Sequence, residues 1–136
     1  MNDKLKPGLS EKIEMAVTEE VSAKKVGSGS VEVFATPMMI AIMEQAAAKC
    51  VQPYLEEGQA TVGTKVDISH IAATPLGMKV YAQAELLEVD NRRLVFKVEA
   101  FDQREKIGEG THERFIIDIQ RFMNKVNAKH KSGCSS

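Results

Sequence analysis

Between residues 11 and 21 the apolar side chains Ile13, Met15, Val17 and Val21 fall on alternate positions, the period of a strand with one buried face. A first strand is therefore predicted over 11–21. Residues 24–30 are polar and contain Gly27 and Gly29, which reads as a mobile connection able to sit over a site, and 31–34 as a short extended lead into the next element. Thr36 and Pro37 mark a helix start, with a side-chain acceptor at the cap and a proline at the first helical position. The helix should run to Val51, where Gln52 and Pro53 close it, because proline lacks the donor that would continue the ladder. Within it Met38, Met39, Ile40, Ala41, Ile42, Met43, Ala46, Ala47 and Ala48 cover every face, and a helix apolar all round is a buried one.

Something must wrap that helix, and the downstream pattern supplies it. Residues 60–71, 77–89, 93–102 and 106–119 all read as strands. Val80, Ala82, Ala84 and Leu86 alternate with Lys79, Gln83 and Glu85, and Leu94, Phe96, Val98 and Ala100 alternate with Lys97 and Glu99, so one face is core and the other mostly solvent. Asp90 and Asn91, then residues 102–105, suit the intervening reversals, and consecutive antiparallel pairing is expected. Residues 118–131 read as a short polar helix or tail anchored by Phe122, Met123 and Val126. The fold class is α+β, a long antiparallel β-sheet around one central buried α-helix. Its open edges and the helix's need for cover on both sides point to a second copy, a homodimer, with further assembly left open.

Length adds that this is one domain, since 136 residues match a single folding unit able to bury about two-thirds of its surface. Its core spans about 11–129, with a polar tail over 130–136. Eighteen Lys plus Arg against nineteen Asp plus Glu, a net charge of -1, exclude a counterion-releasing surface, so no nucleic acid partner is expected. The longest apolar run, residues 37–43, is far short of the roughly 20 residues of a membrane span, so no membrane partner is expected. The charged amino terminus has no export pattern, and two unlike cysteines, Cys50 and Cys134, form no disulfide framework, which fits the cytoplasm. No close cluster of His and Cys appears, so no metal and no cofactor is expected.

Glu44 is the most informative position, because it and Gln45 are the only polar residues between Pro37 and Ala48. A carboxylate in an apolar setting shifts its pKa or finds a partner, and such groups concentrate at functional sites; the bland reading is a wet helix face. His70 shares a strand face with Val66 and Ile68. Alone it reads as a satisfied core residue, but with Glu44 to orient it, it could serve as a general base. Thr36 is most simply a helix cap, yet it sits where the N–H groups of Met38 and Met39 could stabilise developing negative charge. Thr36 and Glu44 are about 12 Å apart along the helix axis, so His70 must bridge them or two subunits must contribute. Gly63 interrupts a good strand, suggesting a bulge or close backbone approach, and Gly108 and Gly110 interrupt the last one. His112 and Arg114 share a face and could contact an anionic ligand or form a surface salt bridge.

These residues together resemble the hot-dog-fold thioesterases, in the branch of fluoroacetyl-CoA-specific thioesterase-like proteins. The similarity rests on Val33-Phe-Ala-Thr-Pro, Met43-Glu44, Pro53-Tyr-Leu-Glu, Val62-Gly-Thr, His70-Ile-Ala-Ala-Thr-Pro and Gly108-Glu-Gly-Thr-His-Glu-Arg114, in order, over about 11–129. The resemblance implies that Thr36, Glu44 and His70 are the catalytic threonine, glutamate and histidine, that Gly63 and Arg114 line the pocket, and that the sites lie at a homodimer interface. It implies hydrolysis of an acyl-CoA thioester to free acid and coenzyme A. The stretch Gly27-Ser-Gly-Ser30 lacks the lid aromatics of the specialised branch member, and Met38 and Met39 add bulk near the site, so a short acyl group of broader or different identity is expected. Arg114, Lys65 and Lys79 are candidates for the phosphates of coenzyme A. The alternative is a non-catalytic acyl-CoA or small-ligand binding protein of the same fold; a hydratase lacks its aspartate before a histidine.

Overall fold

The computed structural model describes residues 3–134, with side chains through residue 130; the Cys134 side chain and the last two residues of the expected polar tail, 135 and 136, lie outside the described residues, and the tail's backbone over 130–134 continues the last helix. Alternation becomes five strands, β1 (Ser10–Ala16), β2 (Gln59–His70), β3 (Lys79–Asp90), β4 (Arg93–Phe101) and β5 (Lys106–Asp118). Three helices accompany them, α1 (Ala23–Val26), α2 (Thr36–Val51) and α3 (Ile119–Cys134).

The first strand ends at Ala16 rather than at residue 21. Val17 is buried and its N–H donates to the Met78 carbonyl at 2.8 Å, but the chain then turns through a single 3-10 turn at Glu19–Val21. Val21 keeps the alternate spacing without being extended. Residues 23–26, expected in a mobile connection, form a helical turn whose Lys25 N–H donates to Ser22 Oγ at 3.1 Å. Gly27 closes it at φ 81°, a backbone region that favours glycine.

All strand pairs are antiparallel, in the order β1-β3-β4-β5-β2. Pairing is consecutive only through β3, β4 and β5, where Asn91 takes φ 58° in the first reversal. β2 lies beside β5, not β3, because the chain leaves it through residues 71–78, too long a connection to close a tight hairpin. β1 and β2 are therefore the two edges.

α2 lies across one face of this sheet, the hot-dog arrangement. Met39, Ile42, Met43, Ala46, Ala47, Cys50 and Val51 point at the strands, against Val80, Leu86, Leu94, Phe96, Val98 and Ile116. The alanines at 82, 84 and 100 let the helix approach closely, and each large buried side chain contributes about 1.5–3 kcal/mol. The opposite face of α2 is different: Pro37 and Gln45 are exposed, and Ile40, Ala41 and Ala48 are half-buried. A single chain wraps the helix on one side only. α3 leaves the end of β5 and packs little, so Met123 and Val126, expected as anchors, stay largely exposed while Phe122 is half-buried. No helix among the described residues is long and apolar enough to cross a membrane.

Candidate active site

Thr36 and His70 meet where the start of α2 passes the end of β2. Helix α2 begins one residue earlier than the cap pattern suggests: Ala35 is the N-cap and makes no side-chain cap bond. Thr36 is thus the first helical residue, and its hydroxyl is not a cap. Instead Oγ1 lies 2.7 Å from His70 Nδ1. The N–H groups of Met38 and Met39, expected to be open donors, both donate to the Ala35 carbonyl at 3.0 Å. Among the described bonds, the first-turn amide left without an acceptor is that of Thr36.

The other ring nitrogen of His70, Nε2, is buried and has no hydrogen-bond partner, although an unmet buried polar atom is costly. Burial pushes the His70 pKa below its ordinary 6.5, opposed by the nearby polar backbone of Ala72, so the neutral ring is favoured. Beside it opens a cavity of about 300 Å³ lined by Ala23, Ser28, Phe34, Thr36, His70 and Ala72. Val33, Ile71 and Ala73 complete its lining, and Ser28 belongs to the stretch between Gly27 and Ser30. Met39 is buried over Gly108, where an added Cβ would meet its sulfur at 2.5 Å, and Gly108 pairs with His70. Neither Met38 nor Met39 lines the cavity itself. A larger groove of about 490 Å³, between α3 and the end of β5, contains none of these residues, so the chemistry favours the smaller one.

Glu44 has a different neighbour. Its Oε2 lies 3.5 Å from Arg114 Nη1 and its side chain is 41% exposed, so it is neither dry nor fully wet. Arg114, expected to face a ligand or form a surface pair, is only 8% exposed. Its Nε donates to Thr61 Oγ1 at 2.8 Å and its Nη2 to the Thr61 carbonyl at 2.9 Å. The anion it meets is the chain's own Glu44. It is therefore poorly placed for the phosphates of coenzyme A, whereas Lys65 and Lys79 are exposed. Burial lowers the Arg114 pKa, with Glu44 opposing. Gly63 lets this cluster close: a Cβ there would lie 2.7 Å from Glu44 Oε2, and the ladder shifts register between Gly63 and Lys65, the bulge its sequence suggested. Thr61 escaped the sequence reading; its only signal was its place two residues before Gly63 on the same face.

The two clusters stand apart within one chain. His70 pairs with Gly108 and Gly63 with Arg114, and six residues of β5 separate those positions, roughly 20 Å. Both His70 nitrogens are accounted for, one by Thr36 and one by no partner, so His70 does not bridge Thr36 and Glu44 within one chain.

Comparison with known proteins converges on one family. Residues 17–120 match the family described as fluoroacetyl-CoA-specific thioesterase. A fluoroacetyl-CoA thioesterase of Streptantibioticus cattleyicolor is 45% identical over 102 residues, covering 75% of this chain and 73% of that protein. A solved structure of a fluoroacetyl-CoA thioesterase superposes with a TM-score of 0.87 at 36% identity, over 93% of this chain and 98% of the other. A Thermus thermophilus protein described as a thioesterase superfamily member gives a TM-score of 0.90 at 27% identity, over 98% and 99%.

Proposed function

Because this chain belongs to the fluoroacetyl-CoA-specific thioesterase family, it is an acyl-CoA thioester hydrolase, and we propose that it cleaves short acyl-CoA thioesters at a site shared between two copies. One chain contributes Thr36 and His70, and the partner's Glu44 completes the site. The observation that carries this reading is His70, bonded to Thr36 at Nδ1 while its buried Nε2 lacks a partner.

The free edge of β2 supports the pairing. Val66, on the inner face of that edge strand, is 47% exposed, and an uncovered strand edge is a template for another strand. If β2 pairs antiparallel with its own copy about an axis through Asp67, counting across the bulge carries His70 to the partner's Gly63. There the partner's Glu44 carboxylate would face Nε2 about one strand spacing away.

In this site Thr36 gives its hydroxyl proton to His70 Nδ1 while Nε2–H is held by the partner's carboxylate. Oγ1 attacks the thioester carbonyl carbon, and the Thr36 N–H faces the developing oxyanion. The carbon–sulfur bond breaks and the thiolate of coenzyme A takes the proton from Nδ1; water, deprotonated by the same nitrogen, then attacks the acyl-threonine carbonyl, and as its bond to Oγ1 breaks Thr36 recovers the proton from Nδ1 and the free acid leaves. Met39 seated on Gly108 beside His70, and the small cavity, favour a short acyl group.

Thiol release from a panel of acyl-CoAs, acetyl upward, tests the activity; tight binding without release would point to the non-catalytic reading. His70→Ala and Glu44→Gln are each expected to lower turnover by about a hundredfold, leaving a measurable residue. Refolded together in equal amounts, they should recover about a quarter of wild-type turnover, since half the dimers are mixed and each of those holds one intact site. A site confined to one chain predicts no recovery.

A further inference from the structure

β5 carries a second imidazole that the mechanism does not use. His112 is 1% exposed, with the Phe96 ring centred 6.2 Å away. Its Nδ1 lies 2.8 Å from the carbonyl of Lys65. A carbonyl only accepts, so Nδ1 carries the proton, and Nε2 is left as an acceptor 3.2 Å from Arg114 Nη1. The carbonyl that fixes this tautomer belongs to the residue just after the register shift in β2. An added Cβ at Gly63 would lie 3.3 Å from His112 Cε1 and 3.4 Å from Arg114 Nη1, so bulge, imidazole and guanidinium pack as one unit.

Arg114 is thereby held from two sides. Thr61 takes Nε and Nη2, His112 takes one proton of Nη1, and the same Nη1 faces Glu44 Oε2. We propose that His112 is a positioning residue: as a neutral acceptor it fixes the rotation of Arg114, and Arg114 fixes the carboxylate of Glu44 that the partner's site uses. His112 touches no substrate; it acts through Arg114. This rests on the catalytic reading of Glu44. Burial, reinforced by the Arg114 charge, lowers the His112 pKa, while the Lys65 carbonyl, Glu44 and Glu113 oppose, which agrees with a neutral ring.

Three substitutions separate positioning from mere core filling. His112→Gln keeps an acceptor near the Nε2 position, His112→Asn keeps only the donor to Lys65, and His112→Phe keeps the ring shape alone. With acetyl-CoA as substrate, kcat should fall about tenfold or more in the Asn and Phe variants and within about threefold in the Gln variant, with KM nearly unchanged. Adding His112→Phe to Glu44→Gln should cost less than about twofold beyond Glu44→Gln alone, because the two act as one unit. The proposal is overturned if Asn retains as much kcat as Gln, or if the Phe and Glu44→Gln losses multiply. Should Phe not fold, the order of Gln and Asn still decides. A Glu44→Gln enzyme with full turnover would overturn the catalytic reading instead.

Discussion

His70 is gripped at one nitrogen and open at the other, and the sign of its pKa in each setting follows. In one chain, burial favours the neutral ring and holds the pKa below 6.5. A carboxylate opposite Nε2 favours the charged ring and raises it. If the partner's Glu44 faces His70, Glu44→Gln should lower the His70 pKa, read by NMR titration of the ring; a carboxylate some 20 Å off in the same chain would leave it unmoved. Stability follows the buried ring. The His112 pKa is lowered in the folded chain, so below about 6.5 the unfolded chain binds more protons. The His112 contribution is full above that pH and is lost as pH falls through the folded value. Thermal unfolding at pH 7.5 and 5.5 should show a lower Tm at the acid point, with the difference reduced in His112→Gln. At this scale the sequence was partly legible: Glu44 and His70 stand out because each interrupts an apolar pattern, while Thr61 interrupts nothing and gave no such sign.

Two glycines show how the pairing of β2 with β5 serves different ends. At Gly110 an added Cβ would collide with the Asp67 carbonyl, and Ile68 Cα would lie only 2.9 Å away; both are backbone of the neighbouring strand and cannot step aside. At Gly63 the first atom met is the tip of Glu44, which can swing. Gly110→Ala should therefore lower Tm by about 10 °C or more, whereas Gly63→Ala should shift it by less than about 3 °C. Gly63→Ala should instead cut kcat about tenfold, because the displaced carboxylate no longer sits on Arg114. Calorimetry and thiol release on the two variants check both halves; equal loss of Tm would refute the distinction. For β2 to β5 the strand bounds were readable from alternation to within a residue or two, whereas β1 stopped five residues short of its expected end, and alternation did not show that β2 would leave β3 for the far edge.

The whole chain presents an unfinished surface. β2 has an open edge, and α2 keeps Ile40, Ala41 and Ala48 half-buried on the side away from the sheet. Val66→Lys places a charge on that edge at a site exposed in one chain, where substitutions change folding stability by about 0.5 kcal/mol or less. Sedimentation should change from about twice 15.0 kDa to a single chain, and thiol release should vanish with it. A monomer that still turns over acetyl-CoA would rule out the shared site.

By itself the sequence determined the elements and the cast of side chains, because burial is read from period and chemistry from polar residues in apolar company. Helix α2, the strand faces, and the candidacy of Thr36, Glu44 and His70 all followed from local spacing. Which of those side chains meet was decided only in three dimensions. Thr36 left its cap because the cap fell one residue earlier, on Ala35, and Glu44 went to Arg114 because a bulge at Gly63 opened the space beside it. Those contacts join residues tens of positions apart in the chain, and no local period encodes the register that brings them within a hydrogen bond.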